Sequence, residues 1–378
     1  MALPELKNFT LVFWQPIISP HMIYFAHALK KYCKEVYYVT YGFEEDSREN
    51  QGWEVDEEIL KSIKIFNAKK DSPLDSLRLF NEHSIHLTNG ISKKYLPERF
   101  GEQIKNSKAL WICMIERIKF NSLNYLPKTL KYKILFSSFY SHQPDYFFAI
   151  GDGTKNSLMN FSIPANRIFD FTYFIKDFQV AYQQNKAYTI LFIGHLSKRK
   201  NVDSLLQALN QIPDLSYEVH MYGDGPEKNN LIELTEKLEV LHSKVRFMPS
   251  VKMSNIPDIL NSGDLLVLPS THDGWGVVVT EALMAGKPVI VSDQCGSSTA
   301  VKFSKVGGIY SNQTEFIQLL RQHIQQGALS LEDSTKIKRY AKSFNEHSGA
   351  RYFESLFDFI MKKRKDLPIP PWEQSNES

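Results

Sequence analysis

What most constrains the fold of this chain is a rhythm. Short apolar runs of β-forming residues alternate with stretches whose apolar residues recur at helical spacing. "FTLVFW" (Phe9 to Trp14) is the first run, "QPIISP" breaks it, "HMIYFAHALKKY" has helical periodicity, and "EVYYVTY" is the next run. "SIHL", "ALWICMI" and "DYFFAIGDG" continue the series. After the polar, aperiodic "KDFQVAYQQNKA" the rhythm resumes with "YTILFIGHL" (Tyr188 to Leu196), "VDSLLQALNQI", "YEVHMYGDGP", "LIELTEKLEVL" and "VRFMPSV". A run such as Leu265 to Leu268 has no polar face, as expected of a parallel strand covered by helices on both sides. Repeated β-loop-α-β units build an α/β, doubly wound sheet. The chain has 378 residues, too many for one ordinary core. The expectation is therefore two such domains, 1–178 and 186–345, joined by the polar linker. "GARYFESLFDFIMKKRK" forms a helix within 346–366, and 367–378 is a disordered tail.

Composition removes several classes of function. Hydrophobic residues make up 43% and charged residues 23%, the balance of a soluble folded chain. A net charge of +3 gives no reason to expect nucleic acid. Cys33, Cys113 and Cys295 are too widely spaced for a zinc site, and their odd number suits a reducing compartment. "MALPELKNFTLVFWQP" lacks the cationic start and long apolar run of a signal peptide, and no stretch approaches the ~20 apolar residues of a membrane span. The expected location is the cytoplasm.

The segment "HDGWGVVVTEALMAGKPVIVSD" (His272 to Asp293) carries the most chemistry. It leaves the carboxyl end of the strand Leu265 to Leu268, where an open α/β sheet binds ligands. Gly274 and Gly276 allow close backbone approach, and the helix starting near Val277 presents unpaired N–H groups and a positive dipole end, an anion site suited to a diphosphate. Asp273 and Glu281 flank that site. Taken alone, Asp273 reads more readily as a helix-capping acid and Glu281 as a surface helix residue. Together with the strand, glycines, helix and second strand, they suit a ligand with hydroxyls on both sides of a diphosphate, the outline of a nucleotide-sugar.

The string Asp273-Gly-Trp-Gly-Val-Val-Val-Thr-Glu281, two acids separated by seven residues with Gly-Trp275-Gly after the first, resembles the signature of glycosyltransferase family 4, the retaining GT-B enzymes. The resemblance covers about Leu191 to Val301. "FIGHLSKRKN" is similar to the family's Gly-Arg-Leu…Lys-Gly segment and places Lys200 on its diphosphate lysine. "MYGDGP" is similar to its Gly-x-Gly-Pro turn, and "VRFMPSV" to the strand whose exit backs the base. Three positions depart from the pattern. Asp273 replaces a glutamate, His195 replaces an arginine, and Thr299 stands near a common glutamate.

The resemblance implies two Rossmann-like domains facing each other across a cleft, acceptor-binding first and donor-binding second, with the C-terminal helix crossing back to the first. It implies retaining transfer of a hexose or N-acetylhexosamine from a nucleotide-sugar, UDP-linked by preference, without a metal or other cofactor. Donor-binding residues would be Gly194, His195, Lys200, Gly223, Gly225, Pro226, Met248, Asp273, Gly274, Trp275, Gly276, Val277 and Glu281. Lys200, Asp273 and His86 would be catalytic, although a lone histidine is more often structural. Ser19, His21, Asn89 and Glu116 would meet a glycan or lipid-linked acceptor, as in the synthesis of bacterial surface polysaccharide or glycolipid. The basic and aromatic stretch Arg117 to Tyr140 reads either as a contact with the inner membrane face or as a half-buried helix pair. The alternative function is a non-catalytic nucleotide-sugar binder or scaffold subunit, which the changes at His195 and Asp273 would suit. A Rossmann dehydrogenase is disfavoured because the first strand ends in "WQPIISPH" rather than G-x-G-x-x-G, and "GDGP" lacks the third glycine.

Overall fold

The computed structural model describes residues 4–41, 55–68, 79–90, 98–118 and 144–374, with single positions at 127, 130 and 133. The stretch Arg117 to Tyr140 therefore lies almost wholly outside the described residues. The chain divides into two compact units. Among the described residues, unit 1 runs to Lys176 and resumes from Phe344 to Pro371, and unit 2 runs from Asp177 to Ser343 and takes up Trp372.

Unit 1 contains a parallel sheet of β1 (Thr10–Gln15), β2 (Glu35–Thr40), β3 (Lys64–Asn67), β4 (Ser84–Asn89), β5 (Leu110–Glu116), β6 (Tyr146–Ile150) and β7 (Ile168–Phe171). Its order is β3-β2-β1-β4-β5-β6-β7, so the direction of winding reverses between β1 and β4. Leu11 to Trp14 are wholly buried, which is why β1 shows no alternation. The helix Pro20–Leu29 packs on the helix Glu346–Ile360. Phe25, Phe171, Phe174 and Phe353 join this layer through tilted and edge-on ring contacts of 5.7–6.3 Å. Each such buried ring stabilises the fold by roughly 1.5–3 kcal/mol.

The helix Glu346–Ile360 begins three residues before the periodic "GARYF" run, because the Asn345 side chain accepts the Ser348 N–H at 2.8 Å. It ends where Lys362 turns left-handed (φ 59°), with the Lys363 N–H folding back to the Asp358 carbonyl. Gly349 has to lack a side chain, since a Cβ there would overlap the Phe174 ring. The expected disordered tail needs correction. Pro371–Gln374 form a short helix, and Trp372 is only 2% exposed, so a large ring in a polar tail has found a core.

Unit 2 contains a second parallel sheet: β8 (Thr189–Ile193), β9 (Glu218–Tyr222), β10 (Val245–Met248), β11 (Leu265–Leu268), β12 (Val289–Ser292) and β13 (Gly307–Tyr310). Its order is β10-β9-β8-β11-β12-β13. Leu205, Leu206 and Leu209 of the helix Val202–Asn210 are wholly buried against this sheet. The supposed linker is bound to unit 2. Tyr182 donates to the Leu329 carbonyl at 2.8 Å, Lys338 to the Val180 carbonyl at 2.6 Å, and Asn185 to Asp264 at 3.0 Å. It lacks periodicity because it is extended, not because it is unattached.

Candidate functional site

In unit 2 the winding reverses between β8 and β11. Their connections leave toward opposite faces, so the loops beyond their carboxyl ends part and leave a crevice. The loop after β8 passes through Gly194 and His195 to the turn Lys198–Lys200, and Asn201 (φ 55°) starts the helix Val202–Asn210. The loop after β11 runs through Asp273 to Gly276, which starts the helix Val277–Met284. Gly276 has φ 90°, and a Cβ there would lie 2.7 Å from a Leu268 methyl, so only glycine fits.

The two loops are fastened together. The Thr271 N–H donates to the Arg199 carbonyl at 2.9 Å, and Asn201 Nδ2 donates to the Pro269 carbonyl at 3.2 Å. Across them Lys200 Nζ donates to Asp273 Oδ2 at 2.6 Å, and Arg199 Nη1 lies 3.2 Å from Asp273 Oδ1. Lys200 and Asp273 are each 9% exposed. Desolvation pushes the Asp273 carboxyl upward, but Lys200 and then Arg199 outweigh it and hold it below the usual carboxylate range. A buried carboxylate beside a buried ammonium needs such partners, since desolvation alone would neutralise one of them.

The loop after β9 closes the third side. The Gly194 N–H donates to the Tyr222 carbonyl at 3.0 Å, and the Leu196 N–H to the Asp224 carbonyl at 2.8 Å. This approach is so close that a Cβ on Gly223 would overlap the Gly194 carbonyl, and one on Gly225 would overlap the Leu196 carbonyl. Pro226 is exposed, and Met248, half-buried, ends β10 opposite Tyr222. Glu281 lies one turn into the Val277–Met284 helix, half-buried, and desolvation pushes its carboxyl up to about 7.

The structure thus gathers Gly194, Lys200, Asp273, Gly274, Gly276, Val277, Gly223 and Gly225 at one edge of one sheet. Trp275 departs from expectation. Its ring is 2% exposed, so what it offers a ligand is backbone, while its carbonyl accepts the Ser297 N–H at 3.0 Å. His195 is exposed, and its charge is felt at Asp224. That carboxyl is lowered first by the Gly225 N–H, then by Lys228, and least by His195.

In unit 1 the expected catalytic role of His86 is corrected. His86 is wholly buried in mid-strand β4, where Nδ1 accepts the Trp14 Nε1–H at 3.0 Å and Nε2 donates to the Leu79 carbonyl at 3.2 Å. Burial holds its pKa at about 3, so it is a neutral core residue with both nitrogens in use. The acceptor candidates do lie at the carboxyl edge of the sheet. Asn89 ends β4 and donates to Gln15 at the end of β1 at 3.4 Å, and Glu116 ends β5 and accepts the Tyr173 hydroxyl at 2.7 Å. The His21 ring centroid is 6.4 Å from that of Tyr173, and the Ser19 N–H donates to the Tyr38 hydroxyl at 3.1 Å. Sequence reasoning missed Arg199, hidden in the basic run "KRK", and Gln15. Gln15 is 2% exposed and its Nε2 has no acceptor among the described residues. Its signal was a polar residue closing an otherwise apolar strand.

Residues 174–344 match the family described as Glycosyl transferases group 1. The lipopolysaccharide glucosyltransferase WaaG of Escherichia coli is 28% identical over 171 residues, 44% of each chain. The lipopolysaccharide core biosynthesis glycosyltransferase LpsD of Rhizobium meliloti is 35% identical over 112 residues, 30% of this chain and 31% of that one. The chain thus spans less than half the length of these relatives. Solved structures agree over nearly the whole chain. The lipopolysaccharide outer core galactosyltransferase WaaB has a TM-score of 0.60 at 16% identity, covering 94% of this chain and 99% of that one. HepE of Anabaena in complex with UDP has a TM-score of 0.68 at 12% identity, covering 93% and 100%. The chain therefore has the GT-B fold of glycosyltransferases, and its residues 174–344 are similar to Glycosyl transferases group 1.

Proposed function

We propose that the chain is a retaining glycosyltransferase that moves a hexose or N-acetylhexosamine from a nucleotide-sugar, UDP-linked by preference, to a glycan or lipid-linked acceptor. The observation that carries this reading is the buried Lys200–Asp273 pair, 2.6 Å long, at the winding reversal of unit 2 beside the start of the Val277–Met284 helix. Lys200 and the N–H groups from Gly274 to Val277 stabilise charge that grows on the diphosphate as the sugar bond stretches. No metal ion is required for that stabilisation. Asp273 holds the sugar hydroxyls, and Glu281 accepts from the ribose.

The acceptor hydroxyl attacks the anomeric carbon on the face that the phosphate leaves, and its proton passes to a departing phosphate oxygen. Configuration is therefore retained. The acceptor is held by the carboxyl-edge residues of unit 1, with Gln15, Asn89 and Glu116 the best-placed polar groups. The names of WaaG and LpsD favour a lipopolysaccharide-like acceptor, and the UDP held by HepE favours a uridine donor.

The test is incubation with UDP-, GDP- and ADP-sugars in excess EDTA while following nucleoside diphosphate release. Slow release from one donor, accelerated by a glycolipid acceptor, is expected. A protein that binds none of these nucleotides would refute the reading, and release that needs added Mg²⁺ would refute the metal-free part.

A further inference from the structure

Lys200 and Asp273 form a neutral pair. A nucleotide-sugar brings two ionised phosphates, so that pair alone offers the ligand no net attraction. The positive charge of the cluster comes from Arg199, whose Nη1 donates to the His272 carbonyl at 2.8 Å and lies 3.2 Å from Asp273 Oδ1. Its Nε and Nη2 have no acceptor among the described residues, and the side chain is 46% exposed. An arginine with half of its donor fork unused, beside a carboxylate already paired with lysine, is suited to phosphate oxygens.

We propose that Arg199, rather than His195, is the second cation of the diphosphate site. In the free protein it rests on Asp273. When the donor binds, Asp273 turns to the sugar hydroxyls and the guanidinium fork passes to the diphosphate. Two further observations agree. Asp273 responds to Lys200 and Arg199, whereas His195 makes itself felt at Asp224, on the β9 side. The Arg199 carbonyl is also held by the Thr271 N–H at 2.9 Å, which fixes the arginine opposite the loop that carries Asp273. This assignment rests on the nucleotide-sugar reading above.

The experiment is calorimetric titration of wild type, Arg199→Gln, Arg199→Lys and Lys198→Gln with UDP and with uridine, alongside melting curves. If the wild type prefers GDP or ADP, the matching nucleoside replaces uridine. Lys198 sits on the same exposed turn and makes the same charge change without touching Asp273. Arg199→Gln should weaken diphosphate binding about 10- to 100-fold and nucleoside binding less than about threefold. Arg199→Lys should fall between, and Lys198→Gln should stay within about threefold of wild type. Equal losses for diphosphate and nucleoside, with a lower melting temperature, would make Arg199 a loop clamp and overturn the proposal. Unchanged binding in Arg199→Gln would also overturn it. If Arg199→Gln fails to fold, full diphosphate affinity in Arg199→Lys would overturn the claim that the fork matters. A wild type that binds no nucleoside diphosphate would instead sink the underlying nucleotide-sugar reading, whatever the variants do.

Discussion

Glu281→Gln should make unit 2 more stable above neutrality and, at the same time, a poorer nucleotide binder. Desolvation raises the Glu281 carboxyl from 4.5 to about 7, and nothing among the described residues pairs with it. Each pKa unit is worth about 1.36 kcal/mol, so a rise from 4.5 to about 7 makes holding this group ionised cost the fold at most about 3 kcal/mol above pH 7. Between 4.5 and about 7 the folded state binds more protons than the unfolded chain. Stability therefore rises as pH falls through 7 and levels off below the unfolded value. Glutamine keeps the shape and removes the titration, so the gain should reach roughly 1–3 kcal/mol at high pH and vanish in acid. The assay is urea unfolding of both proteins from about pH 5 to 9, following the transition of unit 2. UDP titration at pH 8 should show an affinity about tenfold lower in the variant, which replaces a charged acceptor with a neutral one. If Glu281→Gln is no more stable at pH 8, or wild type shows no decline between pH 5 and 7, the carboxylate is not an uncompensated, desolvated charge and the reasoning fails.

Two further outcomes can be measured directly. Lys200→Ala should cut turnover by ~10²-fold or more in the nucleoside diphosphate release assay, since it removes the buried ammonium beside the leaving group. It should also lower stability by about 3–5 kcal/mol at most, because Asp273 is left buried with Arg199 as its cationic partner. His86→Ala should cost about 2–4 kcal/mol in the unfolding of unit 1, by opening a cavity and orphaning the Trp14 indole N–H, while UDP affinity stays within about twofold. In wild type the depressed His86 pKa contributes stability that is complete above 6.5 and lost as pH falls toward about 3. The variant should lose that part of the acid sensitivity, and a catalytic defect at full stability would restore His86 to the site.

The sheets and the β11 loop could be read from sequence because their causes are local. A strand apolar on both faces, such as Leu265 to Leu268, can only be covered on both sides, and a glycine pair before an apolar helix is a loop at a sheet edge. What could not be read depends on partners distant in the chain. Trp372 looks like part of a polar tail until a core receives it. The segment from Asp177 looks like a spacer until Leu329 and Lys338 bond to it. His86 has the chemistry of an acid-base catalyst, and what decides against that role is the indole of Trp14, 72 positions earlier, together with the Leu79 carbonyl. Arg199 was overlooked for a related reason. In a run of three cations the family pattern assigned one, whereas geometry alone reveals that two share a carboxylate.

The division of unit 1 along the chain sets an order of events during synthesis. Residues 177–343 are continuous, so their sheet can close as soon as they leave the ribosome. Unit 1 emerges first but cannot finish first. Phe25 and Phe148 wait for Phe353 on a helix made roughly 170 residues after Lys176, a delay of about 10–30 s at common elongation rates. For that interval the nascent chain presents an aromatic face with nothing to cover it. Chaperone demand should therefore fall on the half that is translated earlier, and premature termination anywhere before residue 346 should leave that half sticky even though all its strands have been made.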